Sequence, residues 1–201
     1  MGLSDQKRGS VMQRFAVLLG GVVLAGSALV PVSAEAAARV LGSGYGRICY
    51  EAARAGQASA QGLETCNKAL AEQELEPADR AATLVNRGIL HMYAKQHAQA
   101  LASYEEALKV DPDLAEAYVN KGIALVNLGR DAEAVAASSR ALELSPSRPE
   151  LAYYTRGVAH EMLGNAKAAY NDYRQAAQLS PEWKEPQTQL QRFSVQPKGR
   201  G

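Results

Sequence analysis

The chain has 201 residues, enough for one domain with a modest core, and a formal net charge of +1. Residues 1–36 hold three cations (Lys7, Arg8, Arg14) and two anions (Asp5, Glu35), so the remainder is neutral. A neutral body lacks the basic stripe that nucleic acid needs, and a composition rich in Ala favours helix over sheet.

Residues 1–36 read as an export signal. Lys7, Arg8 and Arg14 form a positive leader, and an apolar run from Phe15 to Val32 follows, loosened by Gly20, Gly21, Gly26 and Pro31. Small residues in Val32-Ser33-Ala34-Glu35-Ala36 suit cleavage after Ala34 or Ala36, which predicts a periplasmic or secreted protein. The alternative is an uncleaved anchor, and membrane contact is expected only in that case. Residues 37–46, with Gly-rich Leu41 to Gly46, read as a flexible linker.

Cys49 and Cys66 are the only cysteines. An even count in an oxidising compartment predicts a disulfide; the alternative is two thiols packed as small hydrophobes. Two Cys without clustered His make an incomplete metal set, so no metal and no cofactor are expected.

Beyond residue 80 the chain repeats. Leu84-Val-Asn-Arg-Gly88, Tyr118-Val-Asn-Lys-Gly122 and Tyr153-Tyr-Thr-Arg-Gly157 align. They are followed by Ala100, Ala134 and Ala169, then Ala107, Ala141 and Ala176, then Pro112, Pro146 and Pro181. Each column steps by 34 and then by 35 residues, and the extra residue falls near Ser147-Arg148-Pro149. Asp111-Pro112 and Ser145-Pro146 read as helix starts, with Asp or Ser as cap and Pro in the first turn. Gly129 and Gly164 suit left-handed residues that close first helices. Each unit is then two antiparallel helices of about 12–15 residues joined by a short turn. The Gly column on first helices and the Ala columns on second helices let the two axes approach closely.

This arrangement resembles the tetratricopeptide repeat family over units 81–114, 115–149 and 150–183. The resemblance implies an all-α, right-handed α-solenoid spanning residues 47–193. It also departs from the family pattern. Arg87, Lys121 and Arg156 stand before each Gly where Leu is usual, and Leu84 and Ser138 replace aromatics. Residues 47–80 read as a degenerate first pair, with Cys49 on its first helix and Cys66 on its second, so that a bridge would clip it shut. Trp183, Leu190 and Phe193 mark a capping helix within 184–193, and 194–201 reads as a disordered tail.

No catalytic constellation emerges, so the chain reads as a non-enzyme. His91 and His160 occupy equivalent positions that suit packing histidines, and His97 falls near a turn, where it is expected to be solvated. No His-Glu-x-x-His run, phosphate loop or nucleophile elbow occurs.

The resemblance implies that first helices line a concave groove that binds a protein or peptide. Carried over by position, its wall is Val85, Asn86, Ile89 and Tyr93, then Val119, Asn120, Ile123 and Asn127, then Tyr154, Thr155, Val158 and Met162. Within each helix these residues share a face. Asn86 and Asn120 are candidates to hold a peptide main chain, since an amide both donates and accepts. The alternative is that these residues contact neighbouring repeats, or that the chain itself or a second copy fills the groove, as in a homo-oligomer. Arg87, Lys121 and Arg156 are expected to face the adjacent repeat and to pair with acids such as Asp113 or Glu116. The Lys and Asn cluster that clamps a C-terminal carboxylate in some such proteins has no match here.

Overall fold

The computed structural model describes residues 44–56 and 59–193; the expected signal, residues 37–43 of the linker and the tail lie outside them. The chain divides into two units, Met1–Val30 and Pro31–Gly201, and every described residue belongs to the second. Nine helices make up the described residues: α1 Tyr45–Arg54, α2 Ala60–Glu72, α3 Pro77–Tyr93, α4 His97–Val110, α5 Ala115–Asn127, α6 Asp131–Glu143, α7 Pro149–Met162, α8 Ala166–Leu179 and α9 Lys184–Gln191. They pair as α1 with α2, α3 with α4, α5 with α6 and α7 with α8, and each pair stacks on the next, an all-α solenoid closed by α9.

Small residues decide how closely the pairs nest. Ala100, Ala107, Ala134, Ala141, Ala169 and Ala176 are all fully buried on second helices. A Cβ on Gly122 would stand 2.6 Å from Ser138 Oγ, and one on Gly157 would stand 2.9 Å from the Tyr173 ring. Only a residue without a side chain allows that approach. Gly129 and Gly164 adopt φ of 69° and 77° where first helices turn into second ones. Lys95 holds the corresponding turn of the preceding repeat at φ 59°, with no glycine to mark it.

Three expectations about boundaries are corrected. The linker does not extend to residue 46: α1 begins at Tyr45, and Gly46 is buried with its N–H donated to Gln73 Oε1 at 2.9 Å. Asp111-Pro112 and Ser145-Pro146 do not start helices. Asp111 caps the C-terminus of α4, and Ser145 follows the end of α6 in the left-handed region at φ 57°. The next helices begin at Ala115 and Pro149, and neither is capped by a side chain. A proline cannot continue the helix before it, so these two act as stops. The proline that does open a helix is Pro149, joined by Pro77 at the start of α3, which at 17 residues exceeds the expected length. The extra residue of the third repeat lies in the loop between α6 and α7.

Both ends of the stack are fastened. Cys49 on α1 and Cys66 on α2 form a disulfide with Cα atoms 4.8 Å apart, and both are fully buried. At the other end Trp183 packs on Tyr154 with ring centroids 4.7 Å apart. Phe193 lies 5.9 Å from Tyr170 and 6.0 Å from Tyr173. Arg192 adds an ion pair to Glu161 at 2.7 Å, and the Tyr173 hydroxyl donates to the same carboxylate at 2.8 Å.

Candidate protein-binding wall

The first helices α1, α3, α5 and α7 touch one another in succession, while second helices lie behind them. Close approach along one row of helices makes that row the inner side of the curve. The expected wall residues all lie on these first helices.

Their exposure differs from that of an open lining. Val85, Asn86, Ile89, Val119, Asn120, Ile123, Tyr154 and Thr155 are all buried. Tyr93 and Val158 are half-buried, and only Asn127 and Met162 are exposed. Two of the buried cases have clear causes. Val85 and Ile89 share one core with Cys49, Ala53 and Leu90, because the N-terminal pair packs on α3. Tyr154 lies beneath Trp183, so its phenol is pushed up by burial. These side chains are packing residues of the stack, not free contacts.

The polar column behaves differently. Asn120 Nδ2 donates to the Glu116 carbonyl at 3.0 Å, and Asn127 Nδ2 donates to the Ile123 carbonyl at 2.8 Å. Asn86 is fully buried, and neither its Nδ2 nor its Oδ1 finds a hydrogen-bond partner among the described residues. Thr155 Oγ1, at the same position two repeats on, is also buried without a hydrogen-bond partner among the described residues. Each unsatisfied buried group costs about 1–3 kcal/mol.

The cations are engaged behind the wall. Arg87 pairs with Glu106 at 2.8 Å and donates to Ser103 Oγ at 3.0 Å. Lys121 pairs with Glu105 at 3.1 Å. Arg156 grips Asp172 through two bonds of 2.8 and 2.9 Å and reaches Ser139 at 3.1 Å. The expected partners Asp113 and Glu116 are not used. Asp113 pairs with Arg140 at 2.8 Å, and Glu116 accepts from the Ser147 N–H at 3.1 Å. The cation before each Gly points toward second helices, and the acids there outcompete those in the turns.

The histidines join no catalytic group. His91 Nδ1 shares a 2.7 Å hydrogen bond with Gln96 Oε1, and His160 is half-buried. His97 opens α4 and is half-buried, not solvated as its turn position suggested; burial, aided by Lys95, lowers its pKa.

Two features escaped the sequence. Trp183 covers Tyr154, a contact between a cap and a repeat that no periodicity reports. Leu128, Met162 and Leu163 leave large apolar side chains exposed where first helices turn. The 35-residue spacing of Leu128 and Leu163 could have revealed it.

Comparison with known proteins agrees with this architecture. Residues 85–149 and residues 150–183 each match a tetratricopeptide repeat family model. The Arabidopsis OM64 tetratricopeptide domain superposes with a TM-score of 0.56 at 26% identity, over 58% of this chain and 96% of that one. MamA 41-end from Desulfovibrio magneticus RS-1 gives 0.62 at 20% identity, over 73% and 79%. The second such domain of human RPAP3, solved with the HSP70 peptide SGPTIEEVD, gives 0.54 at 23%, over 58% and 97%. No curated protein matches the chain. The chain therefore carries tetratricopeptide repeats, a repeat type that commonly mediates protein–protein interaction and binds peptides.

Proposed function

We propose that this tetratricopeptide-repeat chain is an exported, non-catalytic module that binds an apolar, neutral segment of a protein along its first-helix wall. The observation that carries the reading is the pair of buried amide and hydroxyl groups, Asn86 and Thr155, without hydrogen-bond partners among the described residues and set amid Val and Ile. A peptide main chain offers the N–H and C=O groups that such a column lacks. Export rests on the leader, the apolar run and the small-residue exit around Ala34 and Ala36.

The neutral class follows from charge. The RPAP3 domain is solved with a peptide that ends in Glu-Glu-Val-Asp. Here Arg87, Lys121 and Arg156 are spent on Glu106, Glu105 and Asp172. A carboxylate brought to this wall would lose hydration without gaining a cation.

The test is fluorescence polarisation with labelled twelve-residue peptides, one set neutral and apolar and one ending in Glu-Glu-Val-Asp. Neutral peptides should bind saturably, and Val158→Asp and Met162→Asp should weaken them at least tenfold with helicity retained. Equal binding of the acidic set, or full binding by both variants, overturns the reading. N-terminal sequencing of exported protein should begin at Glu35 or Ala37; retention of residues 1–34 defeats cleavage.

A further inference from the structure

Each first helix inside the stack, α3, α5 and α7, packs against the second helix of the pair before it. Helix α1, at the end of the stack, packs on α2 and α3 among the described helices. Its inward face holds Gly46, Cys49 and Ala53, all buried, and the Cys49–Cys66 disulfide pins it to α2. Its outward face carries Ile48 at 54% exposure and Tyr45 at 39%. The end of a solenoid normally turns a polar face to water. One exposed apolar side chain is ordinary; what surrounds Ile48 selects its partner.

We propose that two copies of this chain pair through α1, antiparallel about a two-fold axis that passes beside Cys49. At 3.6 residues per turn, Tyr45 and Ala52 lie on one flank of the outward face, and Arg47 and Glu51 lie on the other. In an antiparallel two-fold pair each flank meets its own counterpart, and a residue before the axis meets the one equally far beyond it. Ile48 is next to the axis, so the two Ile48 side chains touch. Tyr45 comes beside the small, half-buried Ala52 of the other copy. Arg47 comes beside the other copy's Glu51, and symmetry makes that ion pair twice. Both charges are available. Glu51 makes only a 3.8 Å contact with Arg54, and Arg47 has no ion pair among the described residues. A parallel pair would instead set Arg47 against Arg47 and Glu51 against Glu51, so charge selects the antiparallel arrangement.

One short helix face is small beside the roughly 800 Å² per partner of a stable interface, so the pair forms only at micromolar concentration or above. It leaves α5 and α7 untouched, and a dimer therefore presents two first-helix walls to one partner, which raises avidity without a new contact. The contact uses a face other than that wall, so it stands or falls separately from peptide binding.

The test is sedimentation equilibrium of the full chain across the micromolar range, with circular dichroism to confirm that each variant keeps its helicity. The wild type should pass from one copy to two as concentration rises, and Ile48→Asp should remain a single copy. Arg47→Glu and Glu51→Arg, each made alone, should weaken association at least about fivefold, because the axis sets like charges together twice. The double variant R47E/E51R should recover wild-type association, since the pairs form again with their signs exchanged. The photoreactive residue p-benzoylphenylalanine at Tyr45, in an equal mixture of light and 15N-labelled chains, should link light to heavy through α1. A single copy at every concentration, a dimer indifferent to Ile48→Asp, or a double variant as weak as either parent overturns the proposal. Links within one molecule would assign the face to a segment of the same chain and also overturn it.

Discussion

A Cβ built on Gly88 would stand 2.3 Å from Cε1 of Tyr104, a ring that is itself fully buried. The first and second helices of that repeat approach most closely where the Gly88 backbone meets this ring. Gly88→Ala gains the intrinsic helix preference of Ala, about 1 kcal/mol, but forces the ring or the helix to move. The net effect should be a loss of about 1–3 kcal/mol, read from the urea midpoint. Gly122→Ala should cost less, because it meets a single rotatable Ser138 hydroxyl at 2.6 Å. An unchanged midpoint for Gly88→Ala would show that the helices separate freely.

Lys95 pays for a glycine-type turn at φ 59°. The corresponding turns one and two units along use Gly129 and Gly164. A non-glycine residue in this region costs about 1–2 kcal/mol. Lys95→Gly should therefore raise stability by about 1 kcal/mol, whereas Gly129→Ala should lower it by a similar amount. Chemical denaturation of both variants checks the sign, and a less stable Lys95→Gly contradicts the argument.

The Cys49–Cys66 bridge closes a loop with a sequence separation of 17. Restricting the unfolded chain in this way contributes about 3 kcal/mol. Reduction should lower the melting temperature and should first expose the amides of α1 and α2 to hydrogen exchange, since an end pair has one neighbour. A melt that is insensitive to reductant, with the thiols shown to be free, would deny the bridge a stabilising role.

Tyr104 gives the stack an alkaline limit. Burial, reinforced by Tyr93, raises its phenol well above the usual range, and its hydroxyl has no hydrogen-bond partner among the described residues. The unfolded phenol ionises near pH 10 or so while the folded one stays neutral. Stability is then complete below about pH 10 and falls as pH rises beyond it, by about 1.4 kcal/mol per pH unit for this group. Tyr104→Phe should leave stability at pH 7 intact or slightly raised and should flatten the decline. Urea midpoints at pH 8 and pH 11 test this, and equal slopes for both proteins would contradict it.

The repeat and its small-residue columns were legible in the chain, because Gly88, Gly122 and Gly157 each face the same kind of neighbour and so recur at fixed spacing. The glycine turns and the pairing of the two cysteines were legible for the same local reason. Helix starts were misread: Pro112 and Pro146 close one helix several residues before the next begins, and a proline carries the same signal for both roles. The burial of the expected wall residues was not legible, since periodicity says which residues share a face and not how deeply that face is packed.

Sequence alone determined the solenoid, the register of its units and the neutrality of its body, all of which follow from contacts between adjacent, repeated residues. Tertiary structure decided the rest. It set Trp183 on Tyr154, gave Arg156 to Asp172 and buried Asn86 without a hydrogen-bond partner among the described residues. Those outcomes depend on where non-repeating segments and opposite faces meet in space, and that distance has no period along the chain.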